Sequence, residues 1–272
     1  MKLKMHRSLW VSFGLLGTLL CMAILGETAS PYDPLAMSFV PLQPPSFQHV
    51  FGTDNVGRDV FSRFVAGARI SYTIGIVSSL LSCIMGSLVG LLAAYFLALR
   101  ALLMRVTDAV WAFPTVLLGL ALAASLKPGG FTVIVAISVV YSPMFTRLVY
   151  GQALSILERD YITAAKAFGC GSARLLLTHV LPNLAAPLIV QITLTVGTAI
   201  ILESSLSFLG VGIQPPAPSW GNMLRTSYKW LEQDPWMSIL PGLGIYFTVV
   251  SFSVIGDWLR VVLDPKQKQK RI

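Results

Sequence analysis

Charge is scarce in this 272-residue chain: Asp, Glu, Lys and Arg make up only 12% of it. An ordinary soluble domain carries roughly 25%. With 55% hydrophobic residues and a mean hydropathy of +0.73, so few ionic groups cannot coat a water-soluble fold. That deficit excludes a soluble enzyme and a disordered chain alike. Cysteine is scarce too. Cys21, Cys83 and Cys170 have no C-x-x-C and no paired spacing, which excludes a disulfide scaffold and a thiolate metal site. The histidines His6, His49 and His179 are too scattered to announce a metal site. Strand-like alternation is missing. So is G-x-x-x-x-G-K-[ST], so the chain has no phosphate cradle of its own.

What the sequence does have is long apolar runs. A helix needs about 20 apolar residues to span the hydrocarbon core, and six runs qualify: 9–26, 70–99, 106–126, 131–150, 184–206 and 239–262. Breakers fall between them, namely the proline-rich stretch 31–45, Pro128-Gly129-Gly130, and 214–218. The fold class is therefore an all-α polytopic membrane protein with six transmembrane helices. Lys2, Lys4 and Arg7 precede the first run as in a signal peptide. Its apolar stretch exceeds the usual length of roughly 7–15 residues, however, and Glu27-Thr28-Ala29-Ser30 is a poor cleavage site. The first run is read as a retained helix.

The net charge of +8 is an orientation signal and not a nucleic-acid face, because its cations are few and dispersed. With a cytoplasmic N-terminus, 14 Lys and Arg fall inside and 6 outside. Both termini are expected in the cytoplasm. Residues 27–69 then form an outer loop and 151–183 a cytoplasmic one. A second outer segment, 207–238, carries Trp220, Trp230 and Trp236 and reads as interfacial.

The cytoplasmic loop is the informative one. Residues 160–167 have helical composition, with a small surface at Ala164-Ala165, and Gly169 and Gly171 end that helix. A second stretch, 172–179, is expected to start with Ser172 as N-cap and to stop before Pro182. Helix, glycine turn and helix make a compact knob.

Ala164-Ala165, Gly169 and then His179-Val180-Leu181-Pro182 resemble the EAA loop of ABC importer permeases. Thr163 stands at the Glu position and His179 at the Ile position. The run from Gly52 through Thr53, Asp54, Gly57, Arg58 and Asp59 to Ser62-Arg63 resembles the GTDxxGRDxxSR signature of the C-type subunit in the dipeptide/oligopeptide/nickel subfamily. Ser207-Phe208-Leu209-Gly210-Val211-Gly212, Pro218-Ser219-Trp220-Gly221 and the ending Gly256-Asp257, Arg260, Leu263-Asp264-Pro265 resemble three further motifs of that subunit, with Val261 in place of a frequent Asp.

This resemblance implies a type I ABC importer permease fold in the bacterial inner membrane. Residues 1–69 would be a first helix plus outer loop, 70–262 the permease domain, and 263–272 a basic cytoplasmic tail. It implies no catalytic residue, metal or cofactor on this chain, with ATP and Mg used by partners. The partners would be a homologous second permease forming a heterodimer, two ABC ATPases, a periplasmic or lipid-anchored solute-binding protein and membrane lipid. Thr163, Ala164, Ala165, Gly169, Leu181 and Pro182 would couple to an ATPase. The solute would be a peptide or a nickel or metallophore complex.

Several residues keep two readings. Gly52, Thr53, Asp54, Gly57, Arg58 and Asp59 either cap a helix through internal, exposed salt bridges or form part of a docking face for the binding protein. Glu203 lies within the fifth run, and either lines the solute path or bonds the backbone amides of the segment after it. Asp108 and Asp257 are expected to pair with Arg105 and Arg260, three residues away in each case. Gly86 and Gly90 offer a small-xxx-small packing face. An ion-gradient-driven secondary transporter using Asp108, Glu203 or Asp257 is the alternative. It lacks the matching pair of interrupted helices such folds show. An intramembrane aspartyl protease is excluded, because Val254-Ile255-Gly256-Asp257 lacks the first Gly of G-x-G-D.

Overall fold

Inside hydrocarbon no water bonds the backbone, so its polar groups must be satisfied within helices or closed barrels. A computed structural model, which describes residues 2–263, takes the helical solution. The tail 264–272, with Asp264 and Pro265 of the terminal motif, lies outside the described residues. In chain order the helices are α1 (Lys2–Leu25), α2 (Val60–Tyr95), α3 (Leu97–Trp111), α4 (Thr115–Ala124), α5 (Gly130–Leu157), α6 (Asp160–Ala167), α7 (Ser172–Arg174), α8 (Ala185–Phe208), α9 (Trp220–Ser227) and α10 (Trp236–Leu263).

Five stretches among the described residues are long and apolar enough to cross a membrane: Ser8–Leu25, Val60–Tyr95, Gly130–Leu157, Ser172–Phe208 and Trp236–Leu263. The third expected span, 106–126, is not a straight rod. Its place is taken by α3 and α4, bent by 95°. Pro114 between them lacks an amide hydrogen, and its ring disfavours helical backbone at Phe113, so the helix has to break there.

The second span begins ten residues before its apolar run, at Val60, because Asp59 caps it. The Asp59 Oδ2 accepts from the Ser62 amide at 2.7 Å. It ends at Tyr95, where Arg100 donates to the Ala93 and Ala94 carbonyls, each at 3.3 Å.

Another difference lies at Pro182. Gly171, not Ser172, occupies the N-cap of α7, and the chain does not stop at the proline. It runs on through a π-helical segment, Leu175–Val180, and a 3-10 turn, Leu181–Leu184, into α8. These two changes of hydrogen-bond register carry a helical path past a residue that cannot donate. The result is one 37-residue span, Ser172–Phe208.

The bundle is centred on α2 and α5. A Cβ on Gly86 would fall 2.6 Å from Phe145 Cβ, and one on Gly90 2.7 Å from the Thr146 carbonyl. The two backbones therefore touch, as the small-xxx-small spacing predicts. Ser82 and Ser138 hydroxyls each donate across this interface, to the Ser138 and Ser78 carbonyls at 3.2 and 3.3 Å. On the other side α8 packs between α2 and α10. Leu16 and Ala23 of α1 are buried, and Phe13 meets Trp258 of α10 edge-on at 5.9 Å.

Replacing Gly90 with Leu should part α2 from α5. We expect a loss of about 1–3 kcal/mol or more from overpacking, read as a fall in Tm of the detergent-solubilised chain. Gly151→Ala, where nothing lies within 4 Å of the new Cβ, should leave Tm unchanged or raised.

Candidate coupling element and outer motif

The knob expected in residues 160–182 is α6 and the turn after it. Asp160 opens α6 and Lys166 sits in its last turn, both favourable to the helix dipole. At the exit the Gly169 amide donates to the Lys166 carbonyl at 2.9 Å and the Cys170 amide to the Ala165 carbonyl at 3.0 Å. These are the two bonds of a Schellman turn. Gly169 has φ of +78°, and a Cβ there would meet nothing within 4 Å. Glycine is required by the backbone conformation alone.

Ile162 anchors the knob. It is fully buried, among Val149, Ala153, Ile156, Leu175 and Val180. Thr163, Ala164 and Lys166 face outward, and Phe168 at the end of α6 is 92% exposed. Ser172 donates to the Tyr95 hydroxyl at 3.0 Å, and the Lys166 ammonium lies 5.7 Å from the Tyr95 ring centroid. Leu181 is half-buried and Pro182 exposed. Asn183 donates to the His179 carbonyl at 2.7 Å. The six residues of the EAA-like pattern thus form one protrusion, with Ala164 on its surface, Ala165 half-buried against the core beneath, and Leu181-Pro182 at its root. Ile162, Phe168 and Tyr95 belong to it as well. Ile162 was legible as the apolar partner opposite Ala164-Ala165, whereas no local signal marked Tyr95.

The outer motif is a buried knot. Thr53, Asp54, Arg58, Asp59 and Arg63 are all buried, which corrects the expectation of exposed salt bridges. Asp54 sits between two guanidinium groups: its Oδ2 is 2.6 Å from Arg58 Nε and 3.5 Å from Arg63 Nε. Its Oδ1 accepts the Val56 and Arg58 amides at 3.0 and 2.9 Å. Asp59 caps α2 and also meets His49 Nδ1 at 2.9 Å. Thr53 donates to the Val40 carbonyl at 2.6 Å, and Arg63 Nη1 to the Pro34 carbonyl at 3.0 Å. Gly57, at φ +78°, lies against the Phe39 backbone, where a Cβ would collide with its carbonyl. The His49 ring packs 4.4 Å from the Phe39 ring and 5.0 Å from Tyr32. The arrangement caps α2 and pins the loop 32–53 over it. The face it presents outward belongs to that loop, not to the motif's charges.

Glu203 is fully buried. It bonds serine hydroxyls and not the backbone amides expected for it. Ser207 donates to its Oε1 at 2.8 Å, and Ser71 and Ser204 to its Oε2 at 3.1 and 3.3 Å. Two of those hydroxyls accept amides in turn, Ser207 from Ile213 at 3.1 Å and Ser71 from Trp220 at 3.2 Å. Trp220 is not interfacial. It is wholly buried, stacks 5.4 Å from Phe64 and donates its indole N–H to the Phe64 carbonyl at 3.1 Å.

Two further acids separate. Asp257 pairs with Arg260 as the spacing predicts, at 3.8 Å. Asp108 pairs not with Arg105 but with Arg147 of α5, at 2.6 Å, and the Arg147 guanidinium lies 4.2 Å over the Trp111 ring. The bend at Pro114 brings α3 beside α5 and lets this long-range partner win. Among the described residues no group of three or more His, Cys, Asp and Glu could hold a metal ion.

A bundle of apolar helices, strand-free among the described residues and with a capped knob at the root of its longest span, is the architecture of a polytopic membrane protein. The comparisons agree. The fold is similar to that of the MetNI methionine ABC transporter, with a TM-score of 0.62 at 17% identity over 75% of this chain and 97% of that one. The family model for the binding-protein-dependent transport system inner membrane component matches residues 86–269. The chain is 44% identical over 228 residues to the dipeptide transport system permease protein DppC of Alkalihalophilus pseudofirmus, covering 84% of this chain and 75% of that one. It is 42% identical over 282 residues to the di/tripeptide transport system permease protein DppC of Pseudomonas aeruginosa, covering 96% and 92%. It is 39% identical over 255 residues to the glutathione transport system permease protein GsiD of Escherichia coli, covering 92% and 84%. The chain belongs to the binding-protein-dependent transport system inner membrane component family, the inner-membrane permease subunits of ABC importers.

Removing one partner from a buried charged cluster leaves the others uncompensated, at a cost of about 3–5 kcal/mol. Asp54→Ala should therefore lower Tm sharply, and Asp54→Asn, which keeps one acceptor oxygen, should lower it less. A second outcome concerns Asp234, which precedes α10. Burial raises its carboxyl above the ordinary carboxylate range, with the Trp236 amide opposing weakly and neither oxygen making a full hydrogen bond. A raised folded-state value favours the protonated form in the folded state. The contribution is present below the unfolded value and lost as pH rises through the folded one. Asp234→Asn should thus gain stability relative to the parent as pH rises from 4 to 8, measured by thermal unfolding. A difference constant across that range would contradict the assignment.

Proposed function

We propose that this chain is the translocation subunit of an importer for small peptides, working by alternating access. The observation that carries the coupling part is the Schellman-capped α6, with Ala164 and Phe168 exposed, just before a continuous helical path of 37 residues. A rigid knob on a long rod can take up motion from a partner and deliver it at the opposite face. The partners in this reading are a homologous second permease, two ABC ATPases that bind ATP and Mg, and a solute-binding protein outside. Thr163, Ala164, Ala165 and Phe168 seat in the ATPase, with Gly169 making the exit and Leu181-Pro182 the root. ATP binding brings the ATPases together and moves both coupling helices, so the permease pair opens outward. Hydrolysis resets it.

Peptide is preferred to nickel or a metallophore because the relatives at 39–44% identity carry dipeptide, di/tripeptide and glutathione transport in their names. The orientation, with both termini in the cytoplasm, rests on the 14-to-6 distribution of Lys and Arg. It places α6 on the ATPase side and the outer knot on the side of the binding protein.

Gly169 supplies the test. A β-branched residue at φ +78° costs at least about 1–2 kcal/mol locally and opens the turn. In the reconstituted importer Gly169→Val should cut ATP-driven dipeptide uptake at least tenfold while the complex still assembles. Gly169→Asn, which tolerates the left-handed region, should retain most of it. Uptake equal to wild type in the valine variant would remove α6 from the coupling path.

A further inference from the structure

The charges inside this bundle are of two kinds. Glu203, Asp54, Arg58 and Arg63 are buried and fully engaged, but the Asp108–Arg147 pair is open, with side chains 55% and 48% exposed. Arg147 is the only charged residue of α5. It lies ten residues before Leu157, about 15 Å along the helix axis from the C-terminal end of α5. An accessible ion pair within a stretch long and apolar enough to span faces protein or a water-filled path at lower cost than lipid. Its setting is the break between α3 and α4. Beside it is a cavity of about 150 Å³ lined by Trp111, Phe113, Thr115, Tyr141 and Met144. Gln191 of α8 reaches the same wall, its amide 3.0 Å from the Met144 sulfur. The cavity is mostly apolar with the ion pair at its edge, and broken helices beside a cavity are where membrane transporters place solute sites.

We propose that Asp108 and Arg147 form a transit site that takes the two charged ends of a zwitterionic peptide. The peptide carboxylate binds Arg147 and its ammonium binds Asp108. The site rests on the peptide reading above. Arg147 suits a carboxylate because its planar fork donates two parallel hydrogen bonds, and the Trp111 face, 4.2 Å away, fixes the plane of that fork. In the empty state the two residues neutralise each other. When a zwitterion enters, one ion pair is exchanged for two and no charge is left unmatched. The walls suit varied peptide side chains, since Met144 adapts its shape and Trp111, Phe113 and Tyr141 offer broad apolar faces. The site recognises charged termini and tolerates side-chain identity.

The test uses the whole importer reconstituted with its cognate second permease, ATPases and binding protein. Uptake of radiolabelled alanyl-alanine should fall at least tenfold in Arg147→Gln and in Asp108→Asn. The exchanged pair, Asp108→Arg with Arg147→Asp, should remain equally low. Recovery of uptake in the exchanged pair overturns the site, because a simple clasp between α3 and α5 needs only attraction. Since a variant can fail by losing its fold, a second measurement uses the wild-type complex without binding protein. Saturation-transfer NMR should show contact with alanyl-alanine that weakens when its carboxylate is amidated or its amine acetylated. Equal signals from all three compounds also overturn it. A wild-type importer that takes up no peptide fails the peptide reading together with the site. Normal wild-type uptake that survives Arg147→Gln fails the site alone.

Discussion

A carboxylate sealed inside a helix bundle must collect hydrogen bonds from whatever surrounds it, and the architecture of the outer half follows from how Glu203 does so. An uncompensated buried charge is among the costliest things a fold can contain. Ser71 comes from α2, and Ser204 and Ser207 from α8 itself. Ser71 and Ser207 also accept the Trp220 and Ile213 amides, so the hub fixes the entry of α9 and the turn after α8. The hydroxyls orient in one sense, donors to the carboxylate and acceptors from the backbone. A serine can play both parts at once. Close approach is needed to bring them in: a Cβ on Gly221 would be 2.6 Å from the Ser204 carbonyl oxygen. The SFLGVG and PSWG motifs are therefore two halves of one polar centre.

That centre sits at one end of the span Ser172–Phe208, and the Schellman turn sits just before the other. Between them the path changes from α to π to 3-10 and back to α around Leu181-Pro182. Non-α segments are where a helix can bend at low cost. The irregular stretch itself is packed: Leu175, Leu176, Val180 and Leu184 share one core with Ile162 of α6 and Phe145 and Val149 of α5. Further along the same span Val196 and Ile200 belong to the core around Trp220. The span thus takes part in both cores, and its non-α stretch is held against α5 and α6.

The sequence made legible whatever depended on local pattern. Apolar runs located the spans, Gly169 announced its turn, Gly86 and Gly90 their helix contact, and the spacing of Asp257 and Arg260 their pair. What it concealed depended on the third dimension. The start of α2 at Val60 is set by a cap rather than by hydropathy. The 95° break at Pro114 follows from one proline inside an apolar run, whereas Pro143 and Pro241 sit inside α5 and α10 without ending them. Asp108 chose Arg147, 39 residues away, over Arg105 on its own helix. The charges around Asp54 looked like surface charges because their burial comes from the loop folded over them. Trp220 looked interfacial for the same reason. Aromatic residues near prolines suit a membrane surface as well as a core.

The distribution of charge separates scaffold from path more sharply than hydropathy does. Exposed ion pairs contribute little to stability, about 0–1 kcal/mol, whereas placing Arg or Asp at bilayer depth costs about 2.5–3.5 kcal/mol on an insertion scale. A pair that is both exposed and inside the span therefore has no stability rationale of its own. Asp54 with Arg58 and Arg63 does have one, since it closes the loop over α2, and so does Glu203, which joins α2, α8 and α9. Asp108 and Arg147 tie α3 to α5, but at a surface where apolar contact would do so at lower cost. If Asp108 and Arg147 form the transit site proposed above, that surface is where the solute passes.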